Sequence, residues 1–314
     1  MTEEAHLLHL LRLPLVGPVS LRLILTKLTN IGVPLQRMYE LSDDQLLFDL
    51  QLTPEQVQAF RNPRSNAEED LQQCSELDIE FLLSSDSRYP WKILKLLGHT
   101  APHLLFAIGN LELLQMPSLG VSGSRNASED SLSNIAKLCE MVSSQGWVIV
   151  SGGARGVDEV AHLTAIRHGP GTIVVLPTGV LKPRLRKELV KHFEEGKGLL
   201  LSEFLPEQGW TQGCAMQRNR ILAALSNGVV LVEPGPSGGT GGTGKIALKL
   251  RIPLYVLKSS MELNQAAQKI IDKGASQISP DGIKPKALIT TLQCNWEESE
   301  KQRIARKTEE LFSS

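Results

Sequence analysis

A short apolar strand, Trp147 to Val150, runs into Ser151-Gly152-Gly153-Ala154-Arg155-Gly156-Val157-Asp158, and a helix opens behind it. Strand, glycine-rich bend and helix start, in that order, build a corner that holds an anion. The free amides of the first helical turn point outward, and the helix dipole favours negative charge there. The glycines let the backbone approach a ligand with no side chain in the way. Arg155 adds a fixed positive charge suited to phosphate. The unit therefore restricts the chain to folds that offer strand ends to a ligand, and it points to a ligand that carries phosphate.

The same pattern repeats from about Leu77 to Leu257. Strands are predicted at 118–122, 147–150, 172–176, 199–201, 229–233 and 253–257. Helices are predicted between them at 126–144, 157–168, 184–194, 217–225 and 245–250. The first of these helices puts Leu132, Ile135, Cys139 and Val142 on one face and ends at Gly146. Alternation of this kind implies an α/β fold, a mainly parallel sheet covered by helices on both faces. Ligands of such sheets bind at the carboxyl ends of the strands.

The unusual residues fall at those ends. Gly123-Ser124-Arg125 follows the first strand, Ser151 to Asp158 the second, Ser202-Glu203 the fourth and Ser237-Gly238-Gly239-Thr240 the fifth. Arg218-Asn219-Arg220 sits near the start of a helix. The phosphate-binding set is accordingly Gly123, Ser124, Arg125, Ser151, Gly152, Gly153, Arg155, Gly156, Arg218, Asn219, Arg220, Ser237, Gly238, Gly239 and Thr240. One of Arg218 and Arg220 is expected to pair with a nearby carboxylate, Asp158 or Glu203. Asp158 itself, early in a helix, reads as a dipole partner or orienting group, not a catalyst.

Charge balance narrows the ligand question. The 33 basic residues nearly cancel the 34 acidic ones, so nucleic-acid contact must come from a local patch. Only 4% of residues are aromatic, so base stacking has few rings to draw on. Cys74, Cys139, Cys214 and Cys294 are widely spaced and form no Cys-x-x-Cys pair, which argues for reduced thiols and no metal site. The N-terminal apolar stretch is broken by Arg12, Pro14 and Gly17 and reads as no signal peptide, and no run is apolar enough to span a bilayer. A cytoplasmic protein without membrane contact is the expectation.

Residues 1–66 read as a small helical domain. Leu7 to Leu13 lead into Val16-Gly17-Pro18, and Leu21 to Leu28 resume a helical pattern. Two helices around a Gly-Pro bend form a helix-hairpin-helix-like unit, which is either a phosphate grip or a plain packing module. Ser42 with Gln45, and Thr53-Pro54 with Gln56, signal helix starts. The polar stretch from Arg61 to Glu69 is the linker, 77–280 the core, and 281–314 a short helical tail.

The ordered motifs resemble the DNA-processing protein A (DprA/Smf) family. They are Val121-Ser122-Gly123-Ser124-Arg125, Ser151 to Asp158 with Ala161-His162 a turn later, Ser202-Glu203, Gln217 to Ala223, Val232-Glu233 and Ser237-Gly238-Gly239. Asp86-x-x-Tyr89-Pro90 and Gly109 fit the entry into the core. The resemblance covers roughly Leu7 to Ile278. It implies a Rossmann-like core behind a helical, SAM-like N-terminal domain. It also implies sequence-independent single-stranded DNA binding in recombination and natural transformation, loading of the RecA recombinase, a homodimer, and no cofactor. Arg125 and Arg155 would contact the DNA backbone. Two departures stand out: Cys214-Ala215-Met216 replaces an aromatic before Arg-Asn-Arg, and Thr178 to Pro183 replaces a Gly-x-Asp-x-x-Tyr-Pro segment. Base contacts are therefore not carried over, and Lys182, Arg184 and Arg186, with Lys187 and Lys191, are additional basic candidates.

Two rival readings use the same loops. Gly239 to Lys245 fits the start of a P-loop, but Ile246 stands where the magnesium-binding hydroxyl belongs. Gly238 to Thr243 also resembles the loop of nucleoside-monophosphate phosphoribohydrolases. The following helix offers Lys245 and Lys249 where those enzymes need a glutamate, so binding without cleavage is expected. A sensor of free nucleotide remains the non-enzymatic alternative.

Overall fold

The computed structural model describes residues 2–63, 67–183, 185, 187–236, 238–258, 263–279 and 285–312. The N-terminal part is helical: α1 (Glu3–Leu11), α2 (Pro18–Asn30), α3 (Asp43–Phe48), α4 (Pro54–Arg61) and α5 (Ala67–Glu76). Local chemistry sets their starts. At Ser42 and at Thr53 the hydroxyl accepts from the amide three residues on, and the Gln there bonds back to the cap amide. Pro54 fills the first position of α4, where a missing N–H costs nothing. The bend between α1 and α2 passes through Leu15, which has a positive φ of 59° and is 94% exposed. The hairpin's basic residues turn inward: Arg12 pairs with Glu207 at 3.3 Å, Arg22 donates to the Ala101 carbonyl at 2.8 Å and Lys27 to that of Leu50 at 3.0 Å. Those cations tie the hairpin to the protein, which is what a packing module does.

The chain continues as β1 (Glu80–Leu83), α6 (Trp91–Leu97), β2 (Leu104–Gly109), β3 (Ser118–Gly123), α7 (Glu129–Ser143), β4 (Val148–Ser151), α8 (Val157–His168), β5 (Thr172–Val175), α9 (Lys187–Glu194) and β6 (Gly198–Ser202). It closes with α10 (Gln212–Leu225), β7 (Gly228–Val232), α11 (Gly239–Lys249), β8 (Leu254–Leu257), α12 (Gln265–Ile271), β9 (Ser276–Ile278) and α13 (Pro285–Phe312). Among the described residues these strands form one sheet in the order β1-β2-β6-β5-β4-β3-β7-β8-β9. From β6 across to β9 all pairings are parallel, whereas β1–β2 and β2–β6 are antiparallel. The central strands β4 and β7 are buried along their whole length, as near-continuous Val, Ile and Leu in a sheet covered on both sides requires.

Alternation along the strands sorts the layers. On β5, Ile173 and Val175 pack with Ile221 and Leu222 of α10 and Ile93 of α6. Val174, between them, belongs on the other face to the apolar cluster that extends to Leu7, Leu21 and Leu46 of the helical module. That second face also carries α7, α8 and the start of α13, through Ile135, Ala161 and Leu292. α11 and α12 complete the first face.

Helix α10 begins at Gln212, five residues before the predicted start, and α11 begins at Gly239, inside the glycine-rich stretch. Glycine is a poor helix former in isolation. Here it allows close packing: a Cβ on Gly244 would lie 2.7 Å from a Leu231 methyl of β7. The strand order reverses at β3 and β7, the switch point beside which ligands of such sheets bind.

Candidate functional site

The loops at the switch point are stitched backbone to backbone. Ser124 N–H donates to the Val232 carbonyl at 3.1 Å, and Val157 N–H donates to that of Ser124 at 3.4 Å. Gly156, with φ of 79°, approaches so closely that a Cβ there would meet the Ser124 oxygen at 2.7 Å. The bends after β3 and β4 are thus held as one rigid rim.

A cleft of about 440 Å³ opens where this rim meets the ends of β4 and β5. Arg125, Gly152, Gly153, Arg155 and Arg218 all line it, together with Thr178, Trp210 and Ala215. That volume is within the range of small-ligand sites. Arg125 and Arg155 are exposed. Among the described residues no carboxylate forms an ion pair with Arg125, Arg155 or Arg218.

Three consecutive residues of α10 fan out, as the helical turn of about 100° per residue dictates. Arg218 reaches β4: a Cβ on Gly152 would fall 1.9 Å from its Nη1 and 2.4 Å from its Nη2, so only glycine admits the guanidinium. Asn219 points to the neighbouring corner and donates to the Gly239 carbonyl at 3.2 Å. Arg220 turns the third way, donating to the Thr100 carbonyl and pairing with Glu203, which is buried. The carboxylate pairing expected of one arginine therefore belongs to Arg220.

Arg218 is left in an unusual state. It is 9% exposed, and its Nε has no partner. Burial opposes its charge, Asp158 supports it and Arg125 opposes it. Burial likewise pushes the Asp158 carboxyl up, with Arg218 pulling it down, and one carboxylate oxygen is unpartnered. Arginine does not give up its proton. The cleft floor therefore holds a cation whose contacts are incomplete, an arrangement that disfavours the empty site and favours an anion.

Comparison with known proteins identifies the lineage. A family model, DNA recombination-mediator protein A, matches residues 80–287. The chain belongs to that family. It is 32% identical over 198 residues to DNA processing protein DprA of Streptococcus pneumoniae, covering 62% of this chain and 69% of that protein. It is 32% identical over 209 residues to Protein Smf of Escherichia coli, where it spans 66% of this chain and 55% of the relative's length. Against Protein Smf of Synechocystis it likewise spans 54% of the relative. The crystal structure of DNA processing protein A from Streptococcus pneumoniae superposes with a TM-score of 0.72 at 25% identity, over 90% of this chain and 97% of that one. A structure describing the single-stranded DNA binding mode of Helicobacter pylori DNA processing protein A gives a TM-score of 0.58 at 27% identity, over 69% and 96%.

Not every predicted residue of this DprA-family chain reaches the cleft. Ser151 is fully buried and its hydroxyl donates to the Val121 carbonyl at 2.7 Å, so that side chain serves the sheet. Arg220 is committed to Glu203. Gly238, Gly239 and Thr240 start α11 at the adjoining switch-point corner and do not line the cleft. Gly123 is consumed by packing, with Val157 where its Cβ would go. Lys182 is exposed on the loop after β5 and is not part of the lining. Arg184, Arg186 and Ser237 lie outside the described residues.

The structure adds Thr172, the partner of the motif residue His162, and Trp210, neither of which sequence reasoning singled out. Thr172 donates its hydroxyl to the Ile149 carbonyl and so accepts from His162 Nδ1, each at 2.7 Å. That leaves His162 as the Nδ1–H tautomer, neutral, with burial holding its pKa down at about 3. Trp210 is the other omission. The signal for it was an apolar residue directly before Thr211, whose hydroxyl caps α10, but it is visible only once the helix is started at Gln212. Among the described residues there is no cluster of three or more potential metal ligands and no helix long and apolar enough to cross a membrane.

Proposed function

We propose that this chain binds single-stranded DNA, holding its phosphates in the arginine cleft without reading base sequence, and that it acts in DNA processing and recombination during natural transformation. The observation that carries the reading is Arg218. Its guanidinium is buried at the floor of the cleft, and among the described residues no carboxylate forms an ion pair with it or with Arg125 and Arg155 at the rim. Guanidiniums and helix-end amides grip phosphate in any sequence context. The family's description as a recombination mediator and the DNA-binding relative from Helicobacter pylori support the same ligand. RecA as partner, a homodimer, a cytoplasmic location and the division into 1–66, 77–280 and 281–314 rest on family membership and on the sequence.

A free nucleotide is the second reading, because the cleft volume of about 440 Å³ would also take one. A labelled 20-nucleotide strand competed with duplex DNA and with nucleoside monophosphates separates them. Retention of the strand against a large excess of monophosphate is expected. Displacement by monophosphate at lower concentration than by unlabelled strand would favour the sensor, and release of free base from the monophosphate would favour the enzyme.

A further inference from the structure

Trp210 is 42% exposed and lines the cleft that Arg125, Arg155 and Arg218 also line, with Glu159 as its one carboxylate among the described residues. An open indole in such a place invites a ligand with both a flat apolar face and negative charge. The position is built by the helix behind it. Thr211 caps α10, its hydroxyl accepting from Cys214 N–H at 3.0 Å. Trp210 is thus the residue before the cap, and Ala215 is the fourth residue of the helix, the two positions that form a hydrophobic staple. Both line the cleft. Ala215 offers the ring no more than a methyl group at the second position. Met216, the next residue, is 41% exposed and reaches Gly242 of α11, so the apolar rim extends toward the switch-point corner. Arg125, Arg155 and Arg218 supply the charged side.

We infer that Trp210 is a stacking platform for a nucleobase of the bound strand, while the adjoining phosphates sit on the arginines. This rests on the binding reading above and adds a base contact. The contact is sequence-tolerant, because every base has a face to stack and indole offers only a single N–H donor.

The test compares oligo-dT with a strand of equal length in which every residue is abasic, at fixed salt. The wild type binds oligo-dT more tightly than the abasic strand. Trp210→Ala and Trp210→Leu weaken oligo-dT binding about 5- to 150-fold, the usual range for one lost base–aromatic stack. Both leave abasic binding within about twofold, and Trp210→Phe restores most of the loss. The leucine variant keeps apolar bulk, so a packing defect and a stacking defect separate even if the alanine variant folds poorly. Equal wild-type affinity for the two strands, or equal losses on both in the leucine variant, overturns the stacking role and leaves phosphate binding standing. Wild-type failure to bind either strand overturns the binding reading itself.

Discussion

Gly152→Ala is the sharpest structural probe of the cleft floor. Gly152 does not have a positive φ, so alanine suits its backbone. The new Cβ would lie 1.9 Å from Arg218 Nη1, 2.4 Å from Nη2 and 2.5 Å from Cζ. Contacts this short do not exist, so the guanidinium must retreat by at least about 1 Å. Charge-assisted hydrogen bonds are directional, and one to a phosphate is worth about 1.5–3 kcal/mol. Displacing the fork should therefore weaken strand binding about 10- to 150-fold with little change in the urea midpoint. Arg218→Met should lose a similar amount, and combining the two should cost no more than Arg218→Met alone, because both remove one interaction. Fluorescence anisotropy with a labelled oligonucleotide reads all three variants. If Gly152→Ala folds and binds like the wild type, Arg218 is not where the phosphate sits.

Two predictions concern stability. Arg220→Ala strands the buried Glu203 carboxylate and should cost about 3–5 kcal/mol in urea unfolding, whereas a loss below 1 kcal/mol would mean Glu203 is otherwise satisfied. His162 has its folded pKa near 3, below the 6.5 of an ordinary histidine. As pH falls below about 6.5 the unfolded chain takes up a proton that the folded one refuses. Its contribution therefore declines as the solution is acidified, by about 2 kcal/mol at pH 5. His162→Asn should flatten that part of the pH–stability curve, and an unchanged slope would place the titration elsewhere.

Much of the core was legible because each strand–helix unit carries its own punctuation: Gly146 before β4, Gly156 before α8, Gly169 after it. Continuous apolar strands such as Val229 to Val232 admit few other placements. The antiparallel edge was not legible. Glu80 to Leu83 is short, and Leu104 to Gly109 follows a leucine-rich helix without alternation, so nothing local distinguishes strand from helix. The glycines of 239–244 hide a helix start because propensity opposes what packing against Leu231 permits. The same limit applies to the site. Arg125 and Arg155 were readable as cations after strand ends and Arg218 as one near a helix start, but which of Arg218 and Arg220 meets a carboxylate depends on the rotation of α10. Ser151 looked like a phosphate ligand because its partner, the Val121 carbonyl, is distant in sequence. Trp210 lies where no periodicity reaches.

Salt dependence of strand affinity reports how many phosphates the cleft holds. Each phosphate neutralised on a single strand contributes a slope of about −0.7 to log K against log salt. Three guanidiniums predict a slope near −2 for the wild type, falling to roughly −0.7 in Arg125→Ala/Arg155→Ala. A flat salt profile, or a slope unchanged in the double variant, would contradict a cleft that holds DNA by its phosphates.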